Sequence, residues 1–401
     1  MKNNAYADPR PIVAISFPFE DMSWLGGAYS ISHLLNAYLS LPNPKLRLVL
    51  AAPLTLPKYV TDELPPIPIW RTSLMSPGST AYILRRLFRK FLSRDMLFER
   101  WLRKRHVDVL SHAQSLGEEA TIPVIGYITD LGVHYHSDFY GTDRADGVKR
   151  YIHTYVNSVS TVLLLSHAVE RDFVKFYQNT KSLREVVHIV PAVNKRNSVA
   201  ELEVVERYGL PERYFYLPNK FWAHKNHRVV VEALGLLRLR GRRVRVVCSG
   251  MTNDERQPHY FSKLMKRAEE LGVEQDLQII GIVPGPDVAA LMRGSVAVLN
   301  PSKFEGWGLS VAEAREMGKY LILSDIPVFR EHEPVRVEFF QPDDASALAD
   351  ILIKAHDSFD QVADAAAQEA AQNTHLAHKQ SFARAYERVV LATMERDRRA
   401  R

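Results

Sequence analysis

The chain has 401 residues, more than most single hydrophobic cores hold, so two domains are expected. With 46% hydrophobic and 24% charged residues and a net charge of +6, it has the balance of a soluble globular protein, which argues against a disordered, fibrous or membrane-embedded chain. One cysteine, Cys248, excludes a disulfide framework and a cysteine zinc site.

In chain order, residues 11–17 (PIVAISF) read as the first strand, followed by a loop holding Gly26 and Gly27 and a helix over 28–39. A glycine pair of this kind serves a tight turn or lets a ligand approach the backbone. Residues 46–52 give a second strand, and 55–77 a proline-rich connection with an extended piece at 67–70. Residues 83–105 then carry nine basic residues against two acidic ones, which accounts for the whole net charge of the chain. Leu84, Leu87, Phe88, Phe91 and Leu92 follow helical spacing there, with arginines and lysines around them. Two readings stay open: a domain helix with its apolar face in the core, or a helix that touches anionic lipid. No RNA- or DNA-binding motif accompanies the charge, so nucleic acid is not an expected partner.

Residues 107–110, 122–129, 162–166 and 186–190 read as further strands, with helices over 142–158 and 168–177. Thr129 ends the second of these strands, and the loop after it holds Asp130 and His134. A domain boundary is expected near Asn194, then a short polar helix over 201–208. YFYLPNKFWAHKNH, residues 214–227, gives a strand, a loop with Lys220 and Lys225 five apart, and a helix start. The two lysines are either solvated surface charges or an anion grip; Trp222, His224 and His227 pack or face solvent. Strands over 243–250 and 277–282 follow, then a turn containing Val283.

The stretch 295–332 is the most informative. An apolar strand, 296–299, is broken by Asn300, Pro301 and Ser302; then come Glu305, Gly306, Trp307, Gly308, Leu309 and Ser310. Ser310 and Glu313 have capping-box spacing, which predicts a helix from Ser310 to Met317 with Gly318 at its C-terminal end and a strand over 320–323. In a strand, glycine loop, helix, strand unit the loop lies at the carboxyl edge of a parallel sheet, where ligands bind. Free N–H groups at a helix start attract a diphosphate, and carboxylates accept hydrogen bonds from sugar hydroxyls. A last strand is expected at 335–340, and helices over 345–355 and 379–398.

The block PS-x-FEG-x-GLS-x-x-EA, with Glu305 and Glu313 eight positions apart, resembles the E-x7-E signature of family 4 glycosyltransferases. VLLLSHAVERDFVKFY and VHIVPAVN resemble that family's later N-terminal segments more loosely. The resemblance implies the α/β GT-B fold: two Rossmann-like domains facing a cleft, with a C-terminal helix crossing back to the first. It implies an acceptor domain at 1–194, a nucleotide-sugar domain at 195–378 and a returning helix at 379–401. It implies transfer of a hexose from a nucleotide-diphosphate sugar to a hydroxyl with retention of configuration.

In that reading Lys220 and Lys225 grip the diphosphate, with Lys220 where the family has arginine; the charge is kept and the fork-like grip is lost. The amides from Gly306 to Ser310, with Gly26 and Gly27, help carry the same charge. Val283 meets the base through its backbone, Glu305 meets the sugar, and Glu313 accepts from the ribose hydroxyls. Where the family often has His-Asp, this chain has Thr129-Asp130, so His134 becomes the candidate on the acceptor side, against the reading of an incidental loop histidine. No metal and no cofactor are implied, and the chain has no Asp-x-Asp handle. PNKFWAHKNH is similar to bacterial polysaccharide mannosyltransferases, which favours GDP-mannose over a UDP-sugar. The implied acceptor is a glycan or lipid-linked glycan.

The rivals are a GT-B epimerase or phosphorylase, and a catalytically silent subunit that binds sugar nucleotide as a scaffold. The N-terminal residues lack the pattern of a signal peptide, and no apolar run reaches the ~18 residues of a spanning helix. A cytoplasmic location is expected, peripheral on the inner membrane face if the basic segment touches lipid.

Overall fold

The structure is a computed structural model and describes residues 8–18, 25–62, 64–117, 119–139, 142–193, 201–254 and 256–400. It divides into two units: Met1–Leu131, Asp146–Val190 and Ala377–Arg401 form the first, and Gly132–Ala145 with Pro191–Leu376 form the second. Asn194, where the sequence puts a boundary, lies outside the described residues.

The first unit is built on strands β1 (Ile12–Ser16), β2 (Arg47–Ala52), β3 (Ile69–Arg71), β4 (Val109–Ser111), β5 (Val124–Ile128), β6 (Thr161–Leu164) and β7 (Leu183–Val186). They form one sheet in the order β3-β2-β1-β4-β5-β6-β7, and all described pairings are parallel. The unbroken apolar runs of β1, β2 and β6 follow from this, since helices cover both faces of a parallel sheet. β7 comes three residues earlier than its apolar pattern suggests. It pairs with β6 from Thr161 opposite Leu183 to Leu164 opposite Val186, so the partner's length sets its span.

The helix after β1 runs Leu25–Leu39 and takes Gly26 and Gly27 into its first turn, which corrects the expectation of a glycine loop before it. Ser30 Oγ donates to the Gly26 carbonyl at 2.7 Å within that turn.

The basic segment is not one helix but two, Thr80–Leu92 and Met96–Arg103. Ser79 caps the first, accepting from the Tyr82 N–H at 3.1 Å, and Ser93 ends it in the left-handed region at φ 51°. No residue of Thr80–Leu92 is buried, so the core-helix reading does not hold for that helix. Phe98, Glu99 and Leu102 of the second helix are buried.

The second unit holds strands β8 (Phe215–Pro218), β9 (Val246–Ser249), β10 (Leu277–Ile279), β11 (Val298–Asn300), β12 (Leu321–Ser324) and β13 (Val337–Phe340). Their order is β10-β9-β8-β11-β12-β13, again parallel throughout the described pairings. Its core packs Phe215, Leu217, Val246 and Leu299 from the sheet against Val230, Leu234 and Leu237 of the His227–Leu239 helix and Leu348 and Leu352 of the Ala345–Asp357 helix. Cys248 is buried in this core, and burial pushes its thiol up, away from the reactive thiolate.

The last helix runs Gln361–Ala400, far longer than the apolar pattern at 379–398 predicts. Its first half, rich in alanine and glutamine, has high helix propensity but little apolar periodicity, so pattern reading passes over it. No helix among the described residues is long and apolar enough to cross a membrane.

Candidate functional site

In an open parallel sheet the strand order reverses at one place, and loops leaving the two strands there diverge and open a crevice. In the second unit that place lies between β8 and β11. The loop after β8 carries Lys220 and Lys225, and the loop after β11 carries Glu305 to Gly308. The topology therefore brings together residues eighty positions apart in the chain.

Lys225 Nζ donates to Glu305 Oε1 in an ion pair that retains 15% and 10% side-chain exposure. Ser302 Oγ stands 2.8 Å from the same carboxylate oxygen and 2.6 Å from Asn300 Oδ1. Two bonds brace the loops: the Lys303 N–H to the His224 carbonyl at 2.8 Å, and Asn226 Nδ2 to the Pro301 carbonyl at 3.1 Å.

Lys220 is half-buried, its ammonium 4.6 Å from the centre of the Trp222 ring. Arg256 lies over the same ring at 4.2 Å and is held by Asp254 at 2.9 Å. Burial, then the charges of Lys225 and Arg256, lower the Lys220 pKa. A half-buried ammonium pressed by two like charges is one that a nearby negative charge would stabilise. Arg256 escapes sequence reasoning because nothing local marks it; only the sheet brings the loop after β9 beside the loop after β8.

His224 and His227 are buried, not solvent-facing. Burial, with the nearby Lys225 charge, pushes His227 down to about 3 and His224 well below its ordinary value, so both are neutral near pH 7. His227 stacks on Phe221 at 4.2 Å and His224 on Phe304 at 4.6 Å.

The helix after the glycine loop runs Leu309–Glu316, with Gly308 as N-cap at φ 81°. A Cβ at Gly308 would stand 2.8 Å from the Phe329 ring, so both backbone conformation and space call for glycine. This corrects the capping-box reading: Ser310 is inside the helix, where its Oγ accepts from Asn300 Nδ2 at 3.3 Å, and no side chain caps the helix. Glu313 is thereby released from a capping role. It keeps some solvent contact, and burial pushes its carboxyl up to about 7. Trp307 is buried against His332, ring centres 3.8 Å apart, and its carbonyl lies 2.7 Å from His332 Nε2. The block thus provides a loop with fixed backbone, a helix start and two carboxylates. Val283 is half-buried in the turn between β10 and the Gly285–Gly294 helix.

His134 ends the short turn Gly132–His134 and is half-buried. That turn groups with the second unit, although it follows β5 of the first in the chain. It packs where a Cβ at Gly132 would collide with the Phe304 ring, and His136 stacks on Phe304 at 4.9 Å. Phe304 directly precedes Glu305, so the histidine turn adjoins the carboxylate loop. His136 and Phe304 carry no recognisable signal in the sequence. Gly26 and Gly27 belong to the first unit, and the lysines and the carboxylates to the second.

Two doubly wound parallel sheets with a long C-terminal helix define the GT-B architecture of glycosyltransferases. Residues 206–373, which hold the lysine pair, Arg256 and both carboxylates, match the family model described as "Glycosyl transferases group 1". Among curated proteins the chain is similar to the O-antigen chain mannosyltransferase RfbU of Salmonella typhimurium, 25% identical over 190 residues. That alignment takes in 46% of this chain and 47% of RfbU, so it spans about half of the relative's length. Among solved structures, sucrose-phosphate synthase from Thermosynechococcus elongatus matches with a TM-score of 0.66 at 14% identity, covering 96% of this chain and 100% of that one. The Anabaena protein HepE, solved in complex with UDP-glucose, matches with a TM-score of 0.65 at 13% identity, covering 94% and 99%. These structural matches concern the fold.

Proposed function

We propose that this chain is a retaining, metal-independent glycosyltransferase. It moves a hexose, mannose from a GDP-linked donor, to a hydroxyl of a glycan or lipid-linked glycan in bacterial polysaccharide or glycolipid synthesis. The observation that supports this most is the cation cluster Lys220, Lys225 and Arg256 beside Glu305 at the strand-order reversal of the second sheet.

The donor diphosphate would lie on that cluster and on the amides of Gly306 to Ser310, which carry the negative charge that grows as the sugar leaves. Electrostatic stabilisation of this kind is often the largest catalytic contribution. When phosphate takes Lys225, Glu305 is released to accept hydrogen bonds from the sugar. Glu313 accepts from the ribose and Val283 adjoins the base. His134 serves the acceptor side, on the turn that packs against Phe304. Mannose rests on the likeness of residues 218–227 to bacterial mannosyltransferases and on the half-length similarity to RfbU. The reading puts the reaction in the cytoplasm.

A melting screen with GDP-mannose, UDP-glucose and the free nucleotides tests the donor. A ligand at a hundred times its Kd stabilises by about 2.7 kcal/mol. The reading expects GDP-mannose to stabilise most and to release GDP slowly without acceptor. Lys220→Met should weaken GDP binding at least ~10-fold, since a hydrogen bond to a charged group contributes about 1.5–3 kcal/mol. Its melting temperature should hold or rise, because a desolvated charge beside two like charges is removed. Stabilisation by UDP-glucose alone would overturn GDP-mannose. Binding with no release of nucleotide would favour the silent subunit, and consumption of inorganic phosphate a phosphorylase.

A further inference from the structure

The Thr80–Leu92 helix is amphipathic with its polar side turned to the protein. Arg85 pairs with Asp95 at 2.7 Å, donates to the Leu74 carbonyl at 3.0 Å and lies over the Phe98 ring at 4.1 Å. One turn on, Arg89 donates to Gln114 Oε1 at 2.8 Å. Residues four apart share a helix face, so the stripe of Arg85 and Arg89 is the inner side. The other side carries Ile83, Leu84, Leu87, Phe88, Phe91 and Leu92, all exposed, with Phe91 reaching 76%. A surface helix of a globular protein normally does the reverse. Six large apolar side chains on one exposed face mark a surface that meets something apolar.

We propose that this face docks on an anionic membrane, its apolar side chains entering the boundary between headgroups and acyl chains while Arg86 and Lys90 meet lipid phosphates. Charge selects this occupant. Arg86 and Lys90 are exposed beside the apolar stripe, and residues 83–105 hold nine basic residues against two acidic. A second copy of the chain packed through the same face about a two-fold axis would bring these like charges together. At 13 residues the helix is about 20 Å long, suited to lying in the interface and too short to cross. The inverted packing also explains the buried Asp95: it anchors the inner face through Arg85, so the outer face is presented in a fixed orientation. The proposal stands without the donor assignment, since it uses no residue of the second unit.

The test is flotation of the full chain with vesicles of phosphatidylcholine containing about one third phosphatidylglycerol, beside pure phosphatidylcholine vesicles, at low and high salt. Binding is expected with the anionic vesicles only, and weaker at high salt. Leu84→Gln combined with Leu87→Gln and Phe91→Gln should lower binding at least ~10-fold; because these side chains are exposed, the melting temperature should not fall. Arg86→Glu with Lys90→Glu should do the same while preserving the apolar face. The chain's one cysteine is buried, so Phe91→Cys gives a single accessible thiol for an environment-sensitive dye. Its emission should shift to the blue with anionic vesicles, whereas a dye on Lys104→Cys should shift less. No binding to anionic vesicles at low salt, or equal binding by the triple glutamine variant, would overturn the proposal. A wild-type dimer that the triple variant turns into a monomer would replace the membrane with self-association.

Discussion

Glu313 is where a single proton separates two chemistries. Burial raises its carboxyl from an ordinary value near 4.5 to about 7, so the folded chain holds this proton more tightly than the unfolded one. The stability gained from the protonated form is complete below pH 4.5 and is lost as pH rises through about 7. Glu313→Gln removes that dependence, so the variant should melt higher than wild type at pH 8 and converge with it in acid. Affinity should move the other way. A carboxylate gives the ribose hydroxyls two charged acceptors, whereas glutamine offers one neutral acceptor. The difference is on the order of 2 kcal/mol, or about thirty-fold at pH 8, shrinking toward pH 6 where wild type is itself protonated. Calorimetric titration of the nucleoside diphosphate at both pH values, with melting curves on the same samples, measures both effects. Unchanged affinity at pH 8 would mean that Glu313 does not touch the ribose. The residue was visible in the sequence, but in two guises, as cap or as ligand. The side-chain spacing S-x-x-E is the same for both, and the starting residue of the helix separates them, which depends on Gly308 and Phe329.

At the scale of elements, the Gln361–Ala400 helix shows how far buried charge can organise a fold. In the second unit, Asp364 accepts from the fully buried Lys319 ammonium and, at 2.8 Å, from Arg336. In the first unit, the buried Glu387 accepts from the Tyr38 hydroxyl at 2.9 Å and the Lys45 N–H at 2.7 Å. Asp364→Ala leaves a cation without a carboxylate in the interior and should destabilise by about 3–5 kcal/mol. Lys319→Met together with Asp364→Leu should recover most of this in denaturant melts, because a packed apolar pair can replace a buried ion pair. A double variant as unstable as the single one would show that the pair is needed for more than neutralising Lys319. The pairing was not legible in advance, because nothing in the sequence says which of the many charged residues are taken into the interior. The basic segment teaches the same lesson in reverse. Its amphipathic period was legible, but which face turned inward was decided by Asp95, which sits outside the Thr80–Leu92 helix.

For the whole molecule, the proposed independence from metal rests on the proposed role of the cations at the site. If Lys220, Lys225, Arg256 and backbone amides carry the diphosphate, turnover should survive excess EDTA. Complete loss restored by Mg²⁺ or Mn²⁺ would assign that charge to a bound ion instead. Steady-state rates with and without chelator decide it.

The sequence by itself determined the alternation of strand and helix, the parallel α/β class and the block from Pro301 to Ala314. Local periodicity, turn chemistry and residue spacing are properties of neighbours along the chain, and they survive without tertiary context. Only the tertiary structure decided that Arg256 joins the two lysines, that His224 and His227 are buried and neutral, and that the Gly132–His134 turn packs with Phe304. It also decided that the apolar face of Thr80–Leu92 looks outward. Each of these depends on desolvation or on contact between distant segments, and both are set by which strands lie side by side.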